Sequence, residues 1–341
     1  MDSTGNTTIN DVARLAGVSK KTVSRVINKS PLLSDKTRAQ VEAVIDKIGY
    51  VPNPQARALA LRRNFIVAAI HDNPNAQFLV NVQQGILDAL NNTEFDLMVH
   101  PVDRSAPDLL DNIKKFLERQ RPYGVVLLPP ISENEDIIAL CKRIGVRYCR
   151  MCSANLDTPE HMVLSNDRQA VREATEYLIA QGHRRIGLIC GPEGFLSPTE
   201  RRAGFEEALA AAGIELSAKL IAPGDYTFES GVKAGLSLLD RDHRPTAIFA
   251  SNDQMAIGTM IAARRRGIDI PRDLSIVGFD DTPLSEHVWP SLTTVRWPIV
   301  AMGRAAAAKL IRSDDAKDDA PASRFLSTLV TRASVAPPPT Q

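Results

Sequence analysis

From Phe65 onward, short apolar runs alternate with segments of helical periodicity, and this alternation constrains the fold more than any other feature. The predicted strands are Ile66–Ile70, Asp96–His100, Gly124–Leu128, Arg147–Met151, Met162–Ser165, Arg185–Cys190, Lys219–Ala222, Ala247–Ala250 and Leu274–Phe279. The predicted helices between them are Val80–Leu90, Ala106–Arg119, Glu135–Ile144, Ala170–Gln181, Thr199–Ala212, Phe228–Asp240 and Gln254–Arg266. Such alternation is typical of doubly wound parallel sheets. Because about 270 residues exceed one such unit, we predict an α/β body of two lobes.

Charge separates the beginning of the chain from this body. The whole chain of 341 residues has a formal net charge of +1. Its first 64 residues carry 11 Lys and Arg against 5 Asp and Glu, whereas the remainder has a slight acidic excess. A basic head on an acidic body favours contact with a polyanion, although chance clustering is the alternative.

Three helices are predicted in the basic head, each beginning after a hydroxyl residue that can cap it: Thr8, Ser19 and Ser34. A tight connection at Gly17 separates the first two helices, as in a helix-turn-helix. The head is therefore predicted to be an all-α unit.

The second of these helices is amphipathic in an informative way. Lys20, Lys21 and Arg25 face away from Val23 and Ile27, which are predicted to pack in the core. Lys and Arg can donate to guanine in the major groove. The short donors suited to phosphate are Thr22, Ser24 and Asn28. The alternative is a small bundle with a solvated basic face.

The segment from Thr8 to Asn28, with Ser34–Arg38 and Gly49–Asn53, resembles the headpiece of the lactose-repressor (LacI/GalR) family of bacterial transcription factors. The resemblance implies that Lys20, Lys21 and Arg25 contact bases and that the neighbouring hydroxyl and amide residues hold the DNA backbone. The positions that match DNA contacts of the family are Thr8, Ser19, Lys20, Lys21, Thr22, Ser24, Arg25, Asn28, Asn53, Ala56 and Leu59.

A short segment, Asn53–Ala60, follows the headpiece and is rich in helix formers. Two helical turns are too short to be stable alone in water. The resemblance implies a hinge helix that folds in the minor groove beside its twin from a second subunit, with Leu59 wedged into a base step. The alternative is a flexible linker with Leu59 packed on the body.

The resemblance also covers the body, whose fold it identifies as that of periplasmic sugar-binding proteins. Its markers are Gly182–Ile186, Arg201 with Gly204-Phe205, Ser251–Asp253, Val277–Asp281, Pro290–Val295 and Leu329–Ser334. The predicted domains are a headpiece (1–52), a hinge (53–64), the body (65–336) and a flexible tail (337–341). Within the body, lobe one comprises about residues 65–162 and 296–323, and lobe two about 163–295 and 324–336.

Ligands of such sheets bind between the lobes, at the carboxyl ends of the strands. The resemblance places ligand-binding positions at Arg201, Asn252 and Asp280, whose donors and acceptors suit a polyhydroxylated effector. Trp297 and Phe78 match cleft positions of the family and can stack on a sugar ring. The alternatives are structural ion pairs for Arg201 and Asp280 and a core role for the aromatic residues.

Motifs for catalysis, metal binding or redox chemistry are weak in this sequence. Cys149 and Cys152 have a redox or zinc spacing but no second pair, and many sugar-binding members have an aspartate near these cysteines that is absent here. We expect no catalysis, no metal and no cofactor. A sugar-modifying enzyme and a periplasmic transport protein are rival classes.

The sequence therefore predicts a cytoplasmic, homodimeric repressor of carbohydrate-use genes that binds a near-palindromic operator under the control of a sugar-like effector. A purine-type corepressor acting on the same fold is the alternative. No membrane contact is expected, because the chain has no long apolar run.

Overall fold

The structure is a computed structural model that describes residues 7–27, 32–51, 64–73, 75–194, 196–312 and 323–339. The chain divides into two compact units, residues 1–65, which include the headpiece, and residues 66–341, which include the body. Four positions predicted to contact DNA lie outside the described residues: Asn28, Asn53, Ala56 and Leu59.

The headpiece contains three helices, α1 (Ile9–Leu15), α2 (Lys20–Ile27) and α3 (Asp35–Ile48). Gly17, with a φ of 62°, makes the tight turn between α1 and α2, which a residue with a Cβ adopts only under strain. The buried core residues are Val12, Ala13, Ala16, Val23, Val26 and Val41. The predicted all-α headpiece is thereby confirmed.

The body contains nine helices of four or more residues in its described part. They are α4 (Ala76–Leu90), α5 (Leu109–Gln120), α6 (Glu135–Ile144), α7 (Asp167–Ala180), α8 (Leu196–Ala211), α9 (Phe228–Leu239), α10 (Asp253–Arg265), α11 (Pro283–His287) and α12 (Ile299–Ile311). The strands are β1 (Ile66–His71), β2 (Asp96–Pro101), β3 (Gly124–Leu127), β4 (Arg147–Cys152), β5 (Met162–Ser165), β6 (Ile186–Ile189), β7 (Ile221–Ala222), β8 (Ala247–Ala250), β9 (Ser275–Asp280), β10 (Thr293–Arg296), β11 (Arg324–Phe325) and β12 (Thr328–Val330).

These strands form two sheets, one for each predicted lobe. The sheet of lobe one has the order β11-β5-β4-β3-β1-β2 and is parallel throughout. The sheet of lobe two has the order β12-β10-β9-β8-β6-β7, and only its edge strand β12 is antiparallel among the described strands. Helices pack on both faces of each sheet, and the predicted two-lobed α/β body is confirmed.

The chain crosses between the lobes slightly later than the sequence indicates. All of β5 belongs to lobe one, because Met162 and Leu164 pair with β4 in register. Strand β11 also pairs with β5 in lobe one. The backbone N–H of Ser327 donates to Asn166 Oδ1 at 2.7 Å. This hydrogen bond joins the two crossover segments that follow β5 and β11.

Two segments differ locally from the expectations. Of the predicted strand Lys219–Ala222, only β7 is extended, since Ala218–Leu220 forms a 3₁₀ turn. Packing also continues into the predicted tail, because Pro338 lies against Gly182. In the described part of the chain, none of the helices combines the length and the apolar character needed to cross a bilayer.

Candidate functional site

The first candidate surface is the outer face of α2 in the headpiece. Val23 and Val26 are buried, whereas Lys20 and Lys21 are exposed and Arg25 is half-buried. The helix thus presents cationic side chains on the face opposite its core, which is the arrangement that suits a major groove.

Two of the predicted phosphate-binding hydroxyls also shape α2 itself. Ser19 Oγ accepts a hydrogen bond from the backbone N–H of Thr22 at 3.1 Å and lies 2.9 Å from the Thr22 hydroxyl. At the start of α1, the Thr8 N–H and hydroxyl both donate to the Asp11 carboxylate. Ser19 and Thr8 therefore cap helices, while Ser24 lies on the half-buried flank of α2.

The second candidate site is a cavity between the two lobes of the body, which we call the inner cavity. All five predicted effector residues line it: Phe78, Arg201, Asn252, Asp280 and Trp297. The sequence reasoning missed the other lining residues, Asn73, Asn75, Pro129, Ser197 and Tyr226. Most of the ten lie just after a strand, as expected of a ligand site in doubly wound sheets. Its volume is about 30 Å³, which is room for water and not for a sugar ring.

Arg201 is held in lobe two by a buried network. Its Nε donates to Asp167 Oδ2 at 2.8 Å and its Nη1 to the carbonyl of Ser251 at 2.5 Å. The guanidinium stacks on Phe279, 3.6 Å from the ring centroid. Burial lowers the pKa of Arg201, but neighbouring Tyr226 and the acidic residues outweigh it, and the side chain stays cationic.

Asp280 differs from the acid beside it. Asp281 forms ion pairs with Arg296 and Arg332. The Asp280 carboxylate lines the inner cavity and accepts no hydrogen bond from the described residues, and its backbone is strained at a φ of 119°. Burial raises the pKa of Asp280 well above its ordinary value, with Arg201 opposing the shift. The alternative of a structural ion pair is confirmed for Arg201, which pairs with Asp167, whereas Asp280 forms no ion pair among the described residues.

Most of the hydrogen-bonding capacity of Asn252 is used within the protein. Its Nδ2 donates to the Tyr226 carbonyl at 2.9 Å, and its Oδ1 accepts from the Met255 N–H at the start of α10. One amide hydrogen and one lone pair remain for a ligand.

Aromatic residues close the cavity. Phe78 of lobe one stacks on Trp297, with ring centroids 5.5 Å apart, and Phe279 of lobe two meets the same indole edge-on at 6.0 Å. Trp297 therefore joins the apolar cores of both lobes. Its Nε1 is buried and has no described acceptor.

One polar contact ties the lobes together near this cavity. Glu133, in the 3₁₀ turn Ile131–Glu133 of lobe one, accepts a hydrogen bond at 2.8 Å from the N–H of Leu196, the first residue of α8 in lobe two. Its second oxygen, Oε1, is buried without a partner. Burial raises the pKa of Glu133 to about 7.

Cysteine and metal chemistry have no visible site. Cys149 and Cys152 are both buried as free thiols in β4 and belong to different apolar clusters. Within the described ranges, no group of three or more His, Cys, Asp or Glu is arranged to hold a metal ion.

Comparison with known proteins agrees with this architecture. The family described as "Bacterial regulatory proteins, lacI family" matches residues 8–53, and "Periplasmic binding protein-like domain" matches residues 175–335. The transcriptional regulator CelR of Thermobifida fusca is 36% identical over 89% of this chain and 91% of its own length. The chain belongs to the LacI family of bacterial regulatory proteins. Like other members, it is a DNA-binding transcriptional regulator.

Other members of the LacI family extend the comparison to the full chain and to its fold. GalR of Escherichia coli is 34% identical over 97% of this chain and 96% of its own. A Lac repressor dimer bound to operator and the anti-inducer ONPF has a TM-score of 0.82 at 28% identity, covering 97% of this chain and 99% of its own. A CelR–cellobiose complex has a TM-score of 0.71 at 32% identity, covering 96% and 100%.

Proposed function

We propose that this LacI-family regulator is a repressor of carbohydrate-use genes whose operator affinity is set by a neutral, hydroxyl-rich effector bound between the lobes. Arg201 and Asn252 donate to the effector, Asp280 accepts from its hydroxyls, and Phe78 and Trp297 cover its apolar ring face. The sugar complexes among its relatives support this choice, since CelR has been solved with cellobiose.

The Asp280 carboxylate carries the proposal. It is half-buried, accepts no hydrogen bond from the described residues and stands on a strained backbone. Asp253 and the neighbouring Asp281, by contrast, satisfy their carboxylates within the protein. A ligand hydroxyl would supply the missing donor, whereas a phosphate or carboxylate ligand would be repelled.

For the DNA complex, we propose that α2 lies in the major groove with Lys20, Lys21 and Arg25 toward the bases. Thr8, Ser19, Thr22, Ser24 and Asn28 would contact the backbone, and the hinge residues Asn53, Ala56 and Leu59 the minor groove. A homodimer bound to a near-palindromic operator is proposed on the likeness to the Lac repressor dimer, since two-fold protein symmetry requires two-fold DNA symmetry.

Control requires that the effector bind two conformations of the body with different affinity. The inner cavity is too small for a sugar ring as it stands, so the ring enters only when the lobes or the aromatic stack move. We therefore propose that effector binding changes the lobe arrangement and through it the hinge.

We further propose that the protein uses no cofactor and catalyses no reaction, acting on DNA in the cytoplasm. Hydrolysis of a bound sugar needs an acid and a base, and Asp280 is the sole carboxylate among the described residues that line the inner cavity.

The Asp280→Asn variant tests the effector site, with Asp242→Asn in an exposed loop as the matched control. We expect operator retardation by both variants, and a loss of effector affinity of about tenfold or more in Asp280→Asn alone. Isothermal titration against monosaccharides, disaccharides and the purines guanine and hypoxanthine identifies the ligand class. Purine binding without sugar binding would contradict the sugar effector and favour a purine-type corepressor.

A further inference from the structure

Beside the inner cavity lies a second, larger space between the lobes, which we call the outer chamber. Its volume is about 480 Å³, within the range of roughly 300–1,000 Å³ of small-molecule sites. Lobe one contributes residues at the ends of β1 and β2 and Pro130, and lobe two contributes Pro192 and Asp225–Thr227. Asn73 and Tyr226 line both spaces, so the two are adjacent parts of one cleft.

Tyr226 forms the partition between them. Its backbone has a φ of 69°, which is strained for a residue with a Cβ. Its ring occupies the space over Gly191, where a Cβ would lie 2.5 Å from Tyr226 Cζ. Its hydroxyl reaches Ser197 Oγ at 3.4 Å. The ring of Tyr226 thus lies between the two spaces, because Gly191 has no side chain to exclude it and the strained backbone of Tyr226 directs it there.

The chemistry of the outer chamber is that of a saccharide site. Pro101, Pro130 and Pro192 give flat apolar surface, and His71, Asp72, Arg104 and Asp225 give polar groups near it. The positive charge of Arg104 is balanced by a nearby carboxylate, because Arg104 Nε lies 3.5 Å from Asp72 Oδ2. A phosphate group needs an excess of donors or positive charge, which these lining residues do not offer.

We propose that the outer chamber is a second saccharide subsite, so that the effector is a neutral disaccharide or longer glycan with one ring on each side of Tyr226. The inference rests on the proposed function, because it takes the inner cavity to hold the first ring. It makes Tyr226 a specificity-determining residue for effector length.

Titration of the full chain with matched sugars tests the second subsite. The probes are glucose with cellobiose and maltose, galactose with lactose and melibiose, and xylose with xylobiose, with glucose 6-phosphate as the anionic arm. We expect one disaccharide to bind about tenfold or more tighter than its monosaccharide, and the phosphate to bind no tighter than glucose.

Two neighbouring variants locate the gain. Pro192→Trp fills the outer chamber, whereas Glu193→Trp alters an exposed residue outside both spaces. We expect Pro192→Trp to abolish the disaccharide advantage while monosaccharide binding persists, and Glu193→Trp to keep it.

The failures are distinguishable. Monosaccharide binding with no gain for any disaccharide, or equal behaviour of the two Trp variants, overturns the second subsite and leaves the sugar effector standing. Absence of binding by every sugar overturns both proposals.

Discussion

The headpiece and the body use their functional residues in opposite ways. In α2 of the headpiece, Lys20 and Lys21 project from a helix whose core is complete without them. In the body, Arg201 and Asn252 line the inner cavity and at the same time hold the fold through buried hydrogen bonds.

This difference explains how each unit can diversify. DNA-contacting side chains on an exposed helix face can be exchanged at little cost in stability, because surface substitutions change it by about 0.5 kcal/mol or less. The proposed effector residues that are also structural can be exchanged only together with their partners. Asp280 is the exception in the body, since its carboxylate accepts no hydrogen bond from the described residues.

The largest expected effect is that of Arg201→Ala. The substitution leaves Asp167 buried without its partner, and breaking such a pair costs about 3–5 kcal/mol. Arg202→Ala, one residue on, removes an exposed pair with Glu206 and should cost about 0.5 kcal/mol or less. Urea unfolding followed by circular dichroism measures both, and equal losses would show that Arg201 is not structural.

For the headpiece, Arg25→Ala should cost roughly 1–3 kcal/mol on a specific operator and less on random duplex. Lys47→Ala, at the exposed end of α3, is the control and should affect both duplexes equally and weakly. Fluorescence anisotropy with an operator selected from random sequence gives the affinities. The melting temperature of each variant should match that of the unchanged chain, and a drop for Arg25→Ala would assign this residue to the core.

The smallest expected effect concerns Glu133 at the lobe junction. Burial raises its pKa from 4.5 to about 7, so between those values the folded chain holds a proton that the unfolded chain has lost. This group therefore lowers stability as the pH rises from about 4.5 to 7, by about 1 kcal/mol after solvent screening.

Glu133→Gln removes that titration while retaining an oxygen for the Leu196 N–H. Relative to the unchanged chain, the variant should gain stability as the pH rises through this window, which thermal melting between pH 5 and pH 8 measures. Glu176→Gln, on the exposed face of α7, is the control. A constant difference between Glu133→Gln and the unchanged chain at all pH values would contradict the buried carboxylate.

Much of the fold could be predicted because local patterns decide it. The apolar runs at β5 and β8 were placed to the residue, since both strands are buried throughout. Helix starts were less accurate: α4 begins at Ala76, four residues before the predicted start at Val80, because Asn75 caps it there. Strand β10 was not predicted as a strand, because it overlaps the segment Pro290–Val295, which was identified only by its resemblance to the family.

The sequence predicted several residues of the candidate site but not which of them also make structural hydrogen bonds. Sequence alone could not show that Arg201 pairs with Asp167, because the two residues are 34 positions apart in the chain. The cap that Asn252 forms on α10 is local, but the predicted helix began at Gln254 and left the cap unassigned. Tyr226 was missed because it lies four residues beyond the end of β7 at Ala222 and not directly after the strand. The strain at Tyr226 and at Asp280 is visible only in the folded backbone.

The central claim is that the effector and the operator bind one linked system. The most direct test measures the operator affinity of the full chain with and without a saturating sugar, and the sugar affinity with and without the operator. The two ratios should be equal and differ from one, because coupling between sites is reciprocal. A sugar that binds tightly between the lobes yet leaves operator affinity unchanged would contradict it.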